Sequence, residues 1–190
     1  MVKQKLVVIY GCHGAGKTTL AKNILLSDGD ELITEISEYG KYTKTKNNKY
    51  VAVGSYKNKT GGMDTVNSIK EQFALINELS GKYSNLIAEG IMFSSLLNKP
   101  LKLLLKLKYE NNINITLILL YASVETSYKR TTTRNGKKPN IKNIINKQKS
   151  VIRVFKKIAE LNEFNLISIN TENKTPEQVF KEFKERTNNG

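Results

Sequence analysis

The chain has 190 residues, 39% of them apolar, and a formal charge of +14 from 31 Lys+Arg against 17 Asp+Glu. That length buries one core of ordinary domain size, and the single Cys12 and single His13 exclude a disulfide framework or a four-ligand Cys/His zinc site within one chain. The opening Met1-Val2-Lys3-Gln4-Lys5-Leu6 runs directly into a strand pattern, with no charged region, apolar stretch and cleavage site, so a reducing, cytoplasmic setting is expected. The charge points to a polyanionic partner. However, 27 Lys, 4 Arg and 21 Asn are also what an A+T-rich coding sequence produces, so total charge alone carries little weight.

Lys5 to Tyr10 is an apolar run rich in β-branched residues that stops at Gly11, the pattern of a strand covered on both faces. Lys17 to Ser27 reads as a helix closed by Asp28-Gly29-Asp30, and Glu31 to Ile36 as the next strand. From Ser37 to Gly62 the pattern is irregular and rich in Lys, Tyr, Thr and Gly, with Tyr50 to Tyr56 as an extended segment. Asp64 to Leu79 returns to helical spacing through Val66, Ile69, Phe73, Ile76 and Leu79.

Asn85 to Glu89 is a strand running into Gly90, and Leu96 to Tyr109 is a Leu/Lys helix with Pro100 in its first turn. Its lysine-flanked leucines suit a helix packed on a sheet better than one lying on a membrane. Ile115 to Tyr121 is a buried strand, and Ser123 caps a helix that reaches Thr133 before the breakers Asn135-Gly136-Lys137-Lys138-Pro139. Ile141 to Asn162 is a longer, amphipathic and basic helix. Asn165 to Asn170 makes a fifth strand, and Pro176 opens a terminal helix that frays over Thr187 to Gly190. No repeat or linker divides the chain. Residues 1–190 are therefore expected to form one three-layer α/β domain, with a mostly parallel five-stranded sheet and helices on both faces.

Gly11-Cys12-His13-Gly14-Ala15-Gly16-Lys17-Thr18 matches G-x-x-x-x-G-K-[ST] at every fixed position, between an expected strand and an expected helix. The glycines let backbone N–H groups turn inward around a phosphate and the helix N-terminus adds its dipole. Lys17 reaches the β/γ-phosphates, and the Thr18 hydroxyl can ligate Mg²⁺, with Thr19 in the same first turn. Cys12 and His13 are variable loop positions, since adjacent residues seldom present both groups to one substrate atom.

A P-loop does not separate kinases from GTPases, motors or helicases. The chain has no N-K-x-D guanine-reading motif. It does have Glu89-Gly90 at a strand end, a helix carrying Arg130 and Arg134 four residues apart, and a late strand leading into Asn170-Thr171-Glu172-Asn173-Lys174-Thr175-Pro176. Together these resemble the P-loop nucleoside and nucleotide kinases. The resemblance implies ATP and Mg²⁺, a lid at 130–140 that brings Arg130 and Arg134 onto the transferring phosphoryl group, and a loop around Asn173 packed on adenine.

Phosphoryl transfer also needs a carboxylate toward the acceptor hydroxyl and another to complete magnesium coordination. Glu89 at a strand C-terminus suits the metal or base role. Glu35 near the end of the second strand and Asp64 after Gly61-Gly62 are the other candidates. Asp64 equally suits the N-cap of the following helix.

The segment 37–63 is the expected acceptor-binding insertion. From Tyr39 to Met63 it has no acidic residue but has six lysines (Lys41, Lys44, Lys46, Lys49, Lys57, Lys59) and four tyrosines (Tyr39, Tyr42, Tyr50, Tyr56). Cationic and aromatic side chains interleaved in this way suit a nucleic-acid strand. Gly54-x-Tyr56 followed by Thr60-Gly61-Gly62-Met63-Asp64-Thr65 resembles a segment of small bacteriophage P-loop kinases that phosphorylate 5-hydroxymethyluracil within DNA. The resemblance implies DNA as partner and an acceptor site drawn from Tyr39, Tyr42, Tyr56, Lys57, Gly61, Gly62 and Asp64. A kinase for free nucleosides, nucleotides or other metabolites and a non-kinase ATP-binding module or NTPase remain the alternatives.

Overall fold

The computed structural model describes residues 4–58 and 60–188. Strand β1 (Lys5–Tyr10) leads through the P-loop into α1 (Lys17–Leu25), followed by β2 (Leu32–Ser37), β3 (Gly40–Thr45) and β4 (Val51–Val53). A 3₁₀ turn at Met63–Thr65 precedes α2 (Ile69–Lys82), β5 (Asn85–Glu89), α3 (Ile91–Ser95) and α4 (Asn98–Tyr109). The chain then forms β6 (Asn114–Tyr121), α5 (Val124–Asn135), α6 (Ile141–Ala159), β7 (Asn165–Asn170) and α7 (Pro176–Asn188).

The strands form one sheet in the order β2-β3-β4-β5-β1-β6-β7. Five run parallel, β4, β5, β1, β6 and β7, whereas β3 pairs antiparallel with both β2 and β4. Alternation along β1 creates the layers. Leu6, Val8 and Tyr10 enter a core closed by α2, α3, α4 and α6 through Leu75, Phe93, Leu104 and Phe155. Ile9 enters the opposite core, with Leu20 and Ile24 of α1 and Val179 and Phe183 of α7. Each fully buried Leu or Ile contributes about 1.5–3 kcal/mol.

The expected five-stranded sheet is corrected to seven strands. The segment at Tyr50 to Tyr56 supplies β4, next to β5, and β3 lies in a stretch that reads as irregular. Its Gly40-Lys41-Tyr42-Thr43-Lys44-Thr45 hides a strand because Thr and Lys occupy inward positions. Thr43 and Thr45 are buried and hydrogen-bonded, Thr43 Oγ1 donating to the Gly54 carbonyl at 3.0 Å. The single helix expected from Asp64 to Leu79 is also divided. Asp64 belongs to the 3₁₀ turn, and Ser68 caps α2 by accepting from the Glu71 N–H at 3.2 Å while its hydroxyl donates to the Glu71 carboxylate at 3.0 Å.

Other punctuation follows the sequence. Pro100 sits in the first turn of α4, Ser123 caps α5 and Pro176 starts α7. The expected fraying is not seen at Thr187, where α7 continues to Asn188; residues 189–190 lie outside the described residues. Leu104 and Leu107 of α4 are buried and Lys102 and Lys106 exposed, as for a helix packed on a sheet. Among the described residues no helix is long and apolar enough to cross a membrane.

Candidate active site

The parallel register sets the site. β1 pairs with β5 so that Ile9 lies opposite Glu89, which brings the carboxylate beside the loop that leaves β1 at Gly11. Gly14 and Gly16 hold φ of +75° and +97°, a region that favours glycine. A Cβ on Gly14 would also fall 2.4 Å from the Ser127 carbonyl of α5, whereas one on Gly16 would meet nothing within 4 Å and would project into the cradle. No side chain caps α1, so its first-turn amides are left for a ligand. Lys17 is buried with Nζ donating to the Cys12 carbonyl at 3.2 Å. Gly14, Gly16, Lys17, Thr18, Thr19, Arg130 and Arg134 line the mouth, a cleft of about 340 Å³.

Thr18 Oγ1 donates to Glu89 Oε1 at 2.8 Å. Glu89 is 1% exposed, and burial raises its pKa to about 7 against the opposing Lys17 charge and Thr18 hydrogen bond, with Asp64 raising it further. A hydroxyl and a buried carboxylate form the hard-oxygen donor pair that suits Mg²⁺. Nearby, the Tyr56 hydroxyl is buried without a partner, and its own pKa is raised by burial and by Glu89 and Asp64. The buried carboxylate, the Thr18 hydroxyl and a Tyr56 hydroxyl left unpartnered among the described residues fit a hydrated magnesium ion.

The Gly54–Thr65 loop closes over this pair by backbone contact. Gly54 has φ +90°, and a Cβ there would lie 1.8 Å from the Gly62 carbonyl. Gly62 has φ +72°, and its Cβ would lie 2.3 Å from Glu89 Oε1; a Cβ on Gly61 would reach the Thr18 methyl at 3.2 Å. Thr65 stitches the loop, its Oγ1 accepting from the Ser55 N–H and donating to the Gly62 carbonyl, both at 2.8 Å. Gln72 Nε2 anchors it to α2 by donating to the Met63 carbonyl at 2.9 Å. Asp64 follows as an exposed carboxylate, with Oδ1 accepting from the Ile91 N–H at 3.0 Å. It thus caps α3 rather than the helix that follows it in sequence.

Arg130 and Arg134 have different surroundings. Arg130 donates to Thr171 Oγ1 at 3.0 Å, the Thr171 carbonyl at 2.7 Å and the Gly14 carbonyl at 3.4 Å, tying α5 to the P-loop and to the end of β7. Arg134 bonds only locally, Nε donating to Asn135 Oδ1 at 3.1 Å, and helps hold down the pKa of Glu89. Glu172 braces the start of α5, accepting from the Ser123 N–H at 2.6 Å and from the Thr126 hydroxyl. Thr171 and Glu172 hold α5 in place, a role that the sequence reading did not single out. Their partners lie 41 to 49 positions away, so no local spacing marks them. Beyond Arg130, a cavity of about 140 Å³ between the P-loop and the β7–α7 loop is lined by Ala15, Gly16, Thr171, Lys174 and Pro176. Asn173, the expected adenine neighbour, is exposed at φ +53° and is absent from that lining.

Several expected residues are not brought to the site. Glu35 lies on β2, four strands from β1 in a sheet with about 4.8 Å between neighbours, and is engaged by Lys44 at 2.7 Å and by the Tyr42 hydroxyl. Its candidacy as catalytic base is therefore corrected. Tyr42 is 8% exposed and packs against Tyr83, while Tyr39 is half-buried on the same core. Lys57 is exposed at the loop tip, and Lys59 lies outside the described residues. Cys12 is buried with its sulfur 3.6 Å from Ser127 Oγ. Burial, with Lys17 close by, lowers the His13 pKa, and the Cys12 thiol donates to the His13 backbone carbonyl at 3.3 Å. Among the described residues no group of three or more His, Cys, Asp or Glu could hold a metal.

No family model matches the chain. It is similar to a 5-hmdU DNA kinase of Bacillus phage SP10, 31% identical over 107 residues, which are 56% of this chain and 17% of that relative. It is similar also to a 5-hmdU DNA kinase of Pseudomonas phage PaMx11, 23% identical over 169 residues, 83% of this chain and 87% of the relative. The chain thus spans about a sixth of the first relative's length and most of the second's. Among solved structures, a gluconokinase from Sinorhizobium meliloti 1021 superposes with a TM-score of 0.57 at 11% identity, covering 100% of this chain and 94% of that one. The strand–P-loop–helix at the centre of a parallel sheet and these likenesses agree: the chain has the α/β fold of P-loop kinases.

Proposed function

We propose that the chain transfers the γ-phosphate of ATP to the hydroxymethyl oxygen of 5-hydroxymethyluracil in DNA. One observation carries this reading: the Gly54–Thr65 loop, whose pattern resembles the phage DNA kinases, lies backbone-to-side-chain on Glu89 and Thr18 at the P-loop. The sequence similarity to two phage proteins named 5-hmdU DNA kinase supports the acceptor.

The uncapped start of α1 and the loop amides hold the phosphates, and Lys17 leaves the Cys12 carbonyl to meet them. Thr18 and Glu89 would hold Mg²⁺, which when bound would neutralise charge on the transferring phosphoryl group. The gain in field strength comes from burial, since Glu89 and Lys17 face each other away from water. Asp64 orients the acceptor hydroxyl and receives its proton, because it is the exposed carboxylate beside Gly61-Gly62 and is held in place by the Ile91 N–H. Arg134 brings a guanidinium to the open side of the P-loop, where charge develops in the transition state. A hydroxymethyl group projects into the major groove at the duplex edge, so the reaction does not require the base to leave the stack.

The test is transfer of labelled γ-phosphate from ATP to DNA containing thymine, 5-hydroxymethyluracil or 5-hydroxymethylcytosine, and to the free nucleosides and monophosphates, beside a Lys17→Ala control. Label on 5-hydroxymethyluracil DNA alone is the expected result. Label confined to free nucleosides or monophosphates overturns the acceptor, and label released only to water overturns the kinase.

A further inference from the structure

Most of the described lysines and tyrosines of 39–63, which suit a DNA strand as sequence, are otherwise engaged in the fold. Lys44 pairs with Glu35 at 2.7 Å, Lys46 with Glu31 at 3.5 Å and Lys49 with Asp28 at 2.7 Å. Tyr42 and Tyr56 are buried. Of its described lysines, Lys41 and Lys57 are exposed without an ion pair, so a polyanion would find two free charges and few open rings there.

The contrast is the stretch from Thr126 to Ala159, which covers α5, its turn and α6. It contains eleven Lys and Arg and no Asp or Glu. Among the described residues its one ion pair is Lys129 with Glu125, at 2.8 Å. On α6, Lys142, Lys149, Arg153 and Lys156 are all exposed, and their spacing of 7, 11 and 14 residues from Lys142 puts them on one face. Ile144, Val151, Val154, Phe155 and Ile158 occupy the opposite face, in the core. Fourteen residues at 1.5 Å each make a cationic ridge about 21 Å long. Gln148 Nε2 fixes the helix to the end of β6 by donating to the Ala122 carbonyl at 2.7 Å.

The chain joins the start of the ridge to the catalytic cleft. Lys137 and Lys138, both exposed, lead from the α5 turn into α6, and Arg134 lines the P-loop mouth. Lys147, on another face of α6, acts with Arg134 and Lys17 on His13 of the P-loop, against Asp64, so cations of three helices converge there. The ridge carries no exposed aromatic side chain. That suits a sugar-phosphate track rather than a base-stacking platform.

We propose that the exposed face of α6, through Lys142, Lys149, Arg153 and Lys156, is the docking track for the phosphate backbone of duplex DNA, leading it to the P-loop cleft. The inference rests on DNA as the acceptor and names where it is held. It relocates the nucleic-acid surface from the 39–63 segment to the opposite side of the P-loop.

The test compares two full-length variants of equal charge change. One replaces Lys142, Lys149, Arg153 and Lys156 by Gln; the other replaces Lys5, Lys70, Lys102 and Lys184, exposed residues elsewhere, by Gln. Affinity for a fluorescent duplex without modified bases is measured by anisotropy from 50 to 300 mM salt, with ATP affinity as the folding and site control. The expected result is a log–log salt slope shallower by about 3 to 4 in the ridge variant, from a slope of about 0.9 per phosphate contact, with ATP affinity unchanged and the second variant close to wild type. Equal losses in both variants, or none in the ridge variant, overturn the proposal. Phosphorylation of hydroxymethylated DNA is scored separately. Ridge-dependent binding without any phosphate transfer leaves the track standing and overturns the kinase reading; transfer with a wild-type salt slope in the ridge variant does the reverse.

Discussion

The Thr18 hydroxyl donates to Glu89 Oε1 at 2.8 Å across the closed base of the P-loop cleft. Burial raises the Glu89 pKa to about 7, so the group favours the protonated form in the fold more than in the unfolded chain. The resulting stabilisation is fully present below the unfolded value near 4.5 and is lost as pH rises through 7. Glu89→Gln removes that dependence. In metal-free buffer it is expected to be more stable than wild type at pH 8 by on the order of 3 kcal/mol, with the gap closing toward pH 5, while phosphate transfer is lost. Denaturant titrations of both proteins at pH 5, 6, 7 and 8 check this, and a gap independent of pH would refute the buried-carboxylate account.

Gly62 and Gly54 are the two positions where backbone crowding holds the loop on the site. Gly62→Ala places a methyl group 2.3 Å from Glu89 Oε1. Gly54→Ala places one 1.8 Å from the Gly62 carbonyl. Each is expected to cost about 1–3 kcal/mol and to abolish turnover while the P-loop still binds nucleotide. Gly29→Ala is the control, since its φ is +70° with nothing within 4 Å of a Cβ. It carries the strain without the clash, so thermal unfolding separates the two contributions, and equal effects at all three positions would remove the crowding argument.

Glu35, on the edge strand, pairs with Lys44 away from the P-loop. Lys44 and then Tyr42 hold its carboxyl below the usual carboxylate range. Glu35→Gln is expected to leave kcat and KM for the acceptor within about twofold and to cost under about 1 kcal/mol, as exposed pairs do. Asp64→Asn is expected to lower kcat by about 10² or more with ATP affinity retained. Steady-state kinetics on the two variants decide the base, and a Glu35→Gln loss matching that of Asp64→Asn would reverse the assignment.

What was legible in the sequence was contiguous in it. β1, the P-loop and α1 form one uninterrupted run in which each glycine answers a local need, and Glu89 was marked by the end of its own strand. Glu35 stands near the end of the second strand in sequence, but that strand is the sheet edge, with β3 and β4 between it and β5, an order that no local pattern shows. β3 itself was hidden, since Thr43 and Thr45 are buried polar residues whose partners, Gly54 and the Asn47–Tyr50 turn, come from later in the chain. Tyr42 and Tyr56 carry the same letter whether they stack on a base or in a core, and sheet order alone decides. Thr171 and Glu172 had no local signal because they act on α5 across the sheet edge.

Arg130 and Arg134 look equivalent at four residues apart on one helix, and the structure separates them. Arg130 donates three hydrogen bonds to Thr171 and Gly14, so its guanidinium holds the P-loop against the end of β7. Arg134 lines the same cleft, and among the described residues its one hydrogen-bond partner is the neighbouring Asn135. Arg130→Ala is therefore expected to lower stability by about 1–3 kcal/mol and to weaken ATP binding, because carbonyls ordered by the guanidinium lose their donor. Arg134→Ala is expected to leave stability and ATP affinity nearly unchanged and to lower kcat by about 10²–10³, the scale of one lost transition-state donor. Arg134→Lys retains charge without the planar fork and is expected to recover part of that loss. Nucleotide titration, thermal unfolding and single-turnover kinetics on the three variants separate the roles. A kcat effect confined to Arg130→Ala, with Arg134→Ala silent, would assign the phosphoryl-facing charge to the wrong arginine.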